Sequence, residues 1–236
     1  MTDTLVATDE SLAAQAYQTL RRGIIVGRFE EGSALKEHRL AAELQVSRIP
    51  IRAAIARLDN DGFVRTAPRR SARVEGWTDR SINELFDVRL SLETLAARRA
   101  AQNVLRGADS TRLDASLDFA HGAVADGDRL AIAEAHARFH DSIVDVADSS
   151  LLSALMRAVL GRMTWLFYLT GAGRDPAVQS HEHDELLAAI AAGNDRLAES
   201  LAFSHIEKGR EPSLSIILDD STRSARRDEG PPRMAG

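Results

Sequence analysis

Apolar positions in the first third of this chain recur at helical spacing and then switch to alternation. Leu12, Ala16, Leu20, Ile24 and Ile25 share one face of a helix predicted over 11–26, with Gly27 at its stop. Leu40, Ala41 and Leu44 predict a short helix over 36–44. After a tight corner at Gln45-Val46, the stripe Ile51, Ala54, Ile55 and Leu58 predicts another helix, from Ser47 to about Asp61. Phe63-Val64-Arg65 and Ala72-Arg73-Val74 read as two short strands joined by the tip Ala67–Ser71. Helix, helix, helix and two-stranded wing make a winged helix-turn-helix over 11–75, preceded by a flexible segment, 1–10.

Gly76-Trp77-Thr78 reads as a linker. Beyond it the pattern is helical throughout, with helices expected at 79–103, 109–125, 128–147, 150–170, 176–192 and 194–218. Asp128 and Ser150 are read as N-caps, and Gly107, Gly127 and Gly193 as stops. The fold class is therefore mainly α: an N-terminal winged helix-turn-helix and a C-terminal all-helical antiparallel bundle over 79–218 that can enclose a pocket. Residues 219–236 lack apolar periodicity and are expected to be a disordered tail.

Composition narrows the partners. The net charge of −5 hides an asymmetry: residues 1–74 hold 12 Lys and Arg against 9 Asp and Glu, while residues 75–236 hold 18 against 26. A basic module joined to an acidic one places nucleic acid at the first only. The chain has no cysteine, which excludes disulfides, thiolate zinc sites and a cysteine nucleophile. The polar start MTDTLVATDE and the lack of a long apolar run predict a cytoplasmic protein without a membrane partner.

The third helix carries the DNA chemistry. Ser47 stands at its N-cap position, Pro50 lies in its first turn, and Arg48 and Arg52 sit at i and i+4 on one face. A helix N-terminus offers free amides to phosphate, so register and charge converge where a recognition helix enters the major groove. Ser47 and Arg48 are expected closest to DNA, with Arg52 one turn along. Arg69 and Arg70 at the wing tip face the adjacent backbone or minor groove. Lys36, His38 and Arg39 are further candidates for phosphate. Taken singly, each arginine is equally well read as part of a solvated helix face.

The run GSALKEHRLAAELQVSRIPIRAAIARLDNDGFVRTAPRRSARV carries a resemblance. Residues 11–75 resemble the DNA-binding domain of the GntR family of bacterial transcription regulators. The family pattern reads G-V-S-R-T-P-V-R-E-A-L, then G-L-V and P-R-R-G at the wing. Here Gln45 replaces the corner glycine, Ile49 the threonine, Ala53 the glutamate and Ser71 the wing-tip glycine. Ile49 removes a hydroxyl that often contacts DNA, which implies a non-standard operator. Ser71 costs little unless that position needs a positive φ.

Residues 79–212 resemble the FCD ligand-binding domain of the FadR branch through ELFDVRLSLETLAARRAA, EAHARFHDSI and EHDELLAAIAAGN. Six helices rather than seven resemble the VanR-type subgroup. The resemblance implies a divalent metal held by one aspartate and three histidines, at positions occupied here by His136, His140, His183 and His205. His136 and His140 lie at i and i+4, so both rings leave one helix face. Neutral imidazole suits zinc, with nickel, iron or manganese as alternatives. His136 replaces the aspartate. Either four neutral ligands leave the ion's full charge to an anionic effector or an outer carboxylate, or His136 has left the coordinating set. His121, His181 and His38 do not fit the site and are read as surface residues. Arg89 stands where the family often aims an arginine at the effector, and it equally suits an interior ion pair with Glu93. Arg162 is a second effector candidate. Trp165, Phe167, Tyr168 and Leu169 read as bundle core.

These features point to a homodimeric regulator, a repressor by family habit. It would read palindromic double-stranded operator DNA and answer to a small carboxylate effector, and it would not be an enzyme. Two other readings stay open: a metal-dependent hydrolase fused to a DNA-binding module, and a DNA-binding protein whose metal only staples the bundle. No HExxH motif supports the hydrolase. If Arg48, Arg52, Arg69 and Arg70 each neutralise one phosphate in both subunits of a dimer, about eight phosphates are covered. Operator affinity measured against salt then falls with a log–log slope of about −7. A slope near zero refutes the arrangement.

Overall fold

The computed structural model describes residues 9–173 and 175–228. The chain forms two units, Met1–Gly76 and Trp77–Gly236. In the first, α1 (Asp9–Ile25), α2 (Glu37–Leu44) and α3 (Arg48–Asn60) accompany an antiparallel sheet of β1 (Ala34–Leu35), β2 (Val64–Arg65) and β3 (Ala72–Val74) in the order β1-β3-β2. The core joins the stripe of α1 (Ala16, Leu20, Ile24, Ile25) to that of α3 (Ile51, Ala54, Ile55, Leu58) around Phe63. Tyr17 completes the α1 face, and its hydroxyl donates to Asp61 Oδ2 at 2.6 Å. The helical spacing does not show β1, because two residues are too few to display a period.

The corner before the recognition helix is a left-handed C-cap. Gln45 has φ 55° and ψ 40°, the conformation that glycine adopts without steric cost. Ser71 is not among the described residues with positive φ, whereas Arg69 is, at 60°, so the wing tip tolerates the serine. Ser47 occupies the N-cap of α3 in extended conformation, but its hydroxyl makes no capping hydrogen bond and stays exposed.

The second unit consists of α4 (Asp79–Leu105), α5 (Thr111–Asp126), α6 (Arg129–Val146), α7 (Ser150–Thr170), α8 (Pro176–Ala191) and α9 (Asp195–Asp228), with a single 3₁₀ turn at Gly171–Gly173. The two linker candidates Trp77 and Thr78 are built into it. Trp77 is buried with its ring edge-on to Trp165, 5.4 Å between centroids, and Thr78 caps α4 through a reciprocal pair with Ser81. Asp128 caps α6 as expected, but the cap of α7 is Ser149 rather than Ser150. The most extensive packing is α4 on α9. Buried alanines on both, Ala96, Ala97, Ala100 and Ala101 facing Ala198 and Ala202, leave room for close approach. α6 is buried around most of its circumference and is the central helix.

α9 runs on to Asp228, past the expected end at Leu218, with Pro212 inside it. Absent apolar periodicity over 219–228 means that no face there needs burial; it does not break a helix, and no proline or glycine intervenes before Gly230. Of the expected flexible start, 1–10, Asp9 and Glu10 instead open α1, while 1–8 and the tail end 229–236 lie outside the described residues. Among the described residues no helix is long and apolar enough to cross a membrane.

Returning Gln45 to glycine relieves the left-handed strain, about 1–2 kcal/mol. It restores unfolded-chain entropy worth about 0.4–1 kcal/mol. Gln45→Gly is therefore expected to stabilise the N-terminal unit by about 0.5–1 kcal/mol in chemical denaturation. A loss of stability counts against the strain.

Candidate functional site

Two sites emerge, one on each unit. On the first, the exposed face of α3, the start of α2 and the wing tip border one groove. It is lined by Lys36, His38, Arg48, Arg52, Arg69 and Arg70, together with Ser71, Thr66 and the carboxylates Glu37 and Asp59. Six of the eight DNA-contact candidates thus meet in one place; Ser47 and Arg39 are exposed beside it but do not line it.

Reading for cations alone missed Glu37, the first residue of α2. Its Oε2 accepts from Arg48 Nη2 at 3.1 Å and from Arg52 Nη2 at 3.1 Å, and its Oε1 accepts from Arg52 Nε at 3.3 Å. The hydrogen bonds from Arg52, and then from Arg48, hold this carboxyl below its usual range. One carboxylate therefore gathers both recognition arginines into a single fork. An acidic residue among cations, one corner before the recognition helix, was the available signal.

The second site lies inside the bundle. His140 of α6, His183 of α8 and His205 of α9 are buried, and each offers a nitrogen within 4.8 Å of the other two. His183 Nε2 and His205 Nε2 are 3.2 Å apart. Two imidazole nitrogens on one zinc, each about 2.1 Å away at tetrahedral angles, stand about 3.4 Å apart, so the spacing fits a shared ion. On two of the rings, His205 and His140, the other nitrogen meets a carboxylate. Glu182 Oε2 lies 2.8 Å from His205 Nδ1, and Glu93 Oε2 lies 2.6 Å from His140 Nδ1 as a close contact rather than an aligned hydrogen bond. Each carboxylate has a cation behind it: Arg89 Nε on Glu93 at 2.7 Å, and Lys208 Nζ on Glu182 at 2.9 Å. Such outer carboxylates orient metal-ligating histidines and raise their basicity.

Burial opposes the charge on Glu93, but Arg89 and His140 outweigh it and hold its carboxyl at about 2. The hydrogen bond with His205 does most to hold Glu182 at about 2. Burial pushes His205 down to about 4 against the opposite pull of Glu182, leaving the neutral imidazole that a metal requires.

His136 is buried on α6 with its ring perpendicular to that of His183, 5.3 Å between centroids, but it is outside the three-nitrogen cluster. Of the two readings for Arg89, the structure places the ion pair: it is buried against Glu93, with its guanidinium 5.0 Å from the Phe167 ring and 5.4 Å from the Phe86 ring. Arg162 lies over Trp77, 4.2 Å from its centroid. Trp165 is buried, whereas Phe167, Tyr168 and Leu169 are partly exposed. His38 is exposed at the groove of the other unit. His121 and His181 sit away from the cluster, beside Asp184 and Glu185.

Residues 12–74 match the bacterial regulatory proteins of the gntR family, and residues 84–208 match the FCD domain. A probable D-xylose utilization operon transcriptional repressor of Paenarthrobacter nicotinovorans is 30% identical over 203 residues, covering 84% of this chain and 87% of the relative. The Nta operon transcriptional regulator of Aminobacter aminovorans is 26% identical, covering 88% and 97%. The crystal structure of a GntR regulator from Rhodococcus sp. RHA1 aligns with a TM-score of 0.72 at 27% identity, covering 87% of this chain and 98% of that one.

The chain belongs to the gntR family. It is a DNA-binding transcription regulator with an FCD domain, and not the fused hydrolase that a histidine cluster also allows. In this gntR regulator the cationic groove lies on the helix-turn-helix unit, and the buried triad is a site that could hold a metal within the FCD domain. The purified protein is expected to bind one divalent ion per chain. His140→Ala, His183→Ala and His205→Ala each abolish retention, whereas His136→Ala keeps the ion. Glu182→Gln weakens binding about 10–100-fold. Elemental analysis after gentle purification, followed by chelator competition, reads all five; metal loss in His136→Ala places that ring in the coordinating set.

Proposed function

We propose that this regulator is a cytoplasmic, homodimeric repressor of a palindromic operator, released by a small carboxylate effector bound at a divalent metal in the FCD domain. Zinc is the first candidate, with nickel, iron or manganese as alternatives. The observation that carries the reading is the charge arrangement around the triad. Arg89 cancels Glu93, Lys208 cancels Glu182, and three neutral imidazoles add nothing. An ion there keeps its charge of +2 for an incoming anion. Because Arg89 is committed to Glu93, the effector's carboxylate meets the metal rather than Arg89, and Arg89 acts through Glu93. His136 is placed to touch the effector rather than the ion, and Arg162 is a more distant candidate. Six helices in this unit support the VanR-type subgroup, and the name of the relative from Paenarthrobacter supports repression of an operon.

Effector and DNA act on each other reciprocally. An effector that prefers the free form 100-fold weakens operator affinity by about 2.7 kcal/mol. The zinc-loaded protein, screened against mono- and dicarboxylates, is expected to gain thermal stability with one class and to release a fluorescent operator duplex with that same class. Chelation abolishes the response. If the metal raises Tm while no carboxylate changes operator affinity, the ion is a structural staple and the proposal fails.

A further inference from the structure

Ile49 is the second residue of α3, and the fold gives it nothing to pack against. Its neighbours Pro50, Ile51, Ala54, Ile55 and Leu58 are buried, while Ile49 is 67% exposed. It follows Arg48 directly and lies beside the groove that Arg48 and Arg52 line, their side chains 63% and 66% exposed and held together by Glu37. That end of the helix therefore carries a bare aliphatic head next to a fork of cations. A β-branched side chain on a helix is nearly restricted to one rotamer, so it is already ordered before binding.

The floor of the major groove is lined with hydrogen-bond donors and acceptors, and the standard bases offer it one apolar group, the C5-methyl of thymine. An isoleucine pressed against any other base edge strips water from a donor or acceptor without replacing its partner. We propose that Ile49 is a specificity-determining residue that reads a thymine by packing against its C5-methyl, while Arg48 and Arg52 make the flanking polar contacts. The inference rests on the N-terminus of α3 entering the major groove.

The probe is a duplex selected from a random-sequence library by the full-length wild-type chain. Each thymine in it is then replaced singly by deoxyuridine, which removes the methyl and nothing else. At one position per half-site the replacement is expected to weaken wild-type binding about fourfold, the value of one buried methyl. 5-Methylcytosine at that position binds better than cytosine by a similar factor, and Ile49→Ala no longer distinguishes thymine from deoxyuridine. A duplex insensitive to every deoxyuridine, or a sensitivity that persists in Ile49→Ala, overturns the assignment. The placement of the helix is read separately: Arg48→Ala and Arg52→Ala abolish binding to the selected duplex if that placement holds, whatever Ile49 does. Full binding by both variants overturns the placement and the assignment with it.

Discussion

An ionised carboxylate sealed inside a helical bundle must be paired, and Glu93 imposes that requirement on the whole second unit. An unpaired buried charge costs several kcal/mol, and here Arg89, one turn earlier on α4, compensates it, while the His140 ring of α6 lies against its other oxygen. The pairing sets the rotation of α4, because Arg89 and Glu93 must both face inward, and it aims the His140 ring. Glu182 repeats the device on α8, taking His205 of α9 on one oxygen and Lys208, one of only two lysines in the chain, on the other. With the rings held from behind, nitrogens of three helices converge in the interior.

The two sites share a motif of carboxylate and cation but sit at opposite ends of its energy scale. In the groove, Glu37 is half-buried and its arginines are exposed, and such solvent-facing pairs are worth about 0–1 kcal/mol. Phosphate can displace that carboxylate cheaply, so the fork is ordered without being locked. In the bundle Arg89 and Glu93 are both buried, and Glu182 is buried beside a Lys208 that reaches the surface, so removing the cation strands a buried carboxylate. The first arrangement suits a surface that must exchange partners, and the second suits a centre whose geometry must persist.

Much of the organisation was legible because it follows from periodicity. The six helices of the second unit begin and end within a few residues of the apolar stripes and caps, with Asp128 capping α6, until α9 overruns Leu218. The α3 core face of Ile51, Ala54, Ile55 and Leu58 is also as the pattern implies. Strand β1 escaped, since two residues show no period, and the cap of α7 moved one serine along because Ser149 and Ser150 are chemically identical. At the sites, residue type carried the histidines and arginines and offered Glu93 as a partner for Arg89, while two of the carboxylates that hold them, Glu37 and Glu182, were overlooked. Glu37 and Glu182 look like ordinary helix-surface residues until the fold brings a partner to each.

The sequence by itself determined the two-part architecture, the helix-turn-helix with its arginine-bearing third helix and the residue types of the interior centre, because hydrophobic period, breakers and charge are local properties. Only the tertiary structure decided which histidines meet. His136 and His140 share a face of α6, yet the cluster draws on α6, α8 and α9, and convergence depends on the crossing of helices far apart in the chain. It likewise decided that Arg89 is committed to Glu93 and that Ile49 is left exposed beside the arginine groove, since exposure and pairing are set by what packs against a residue.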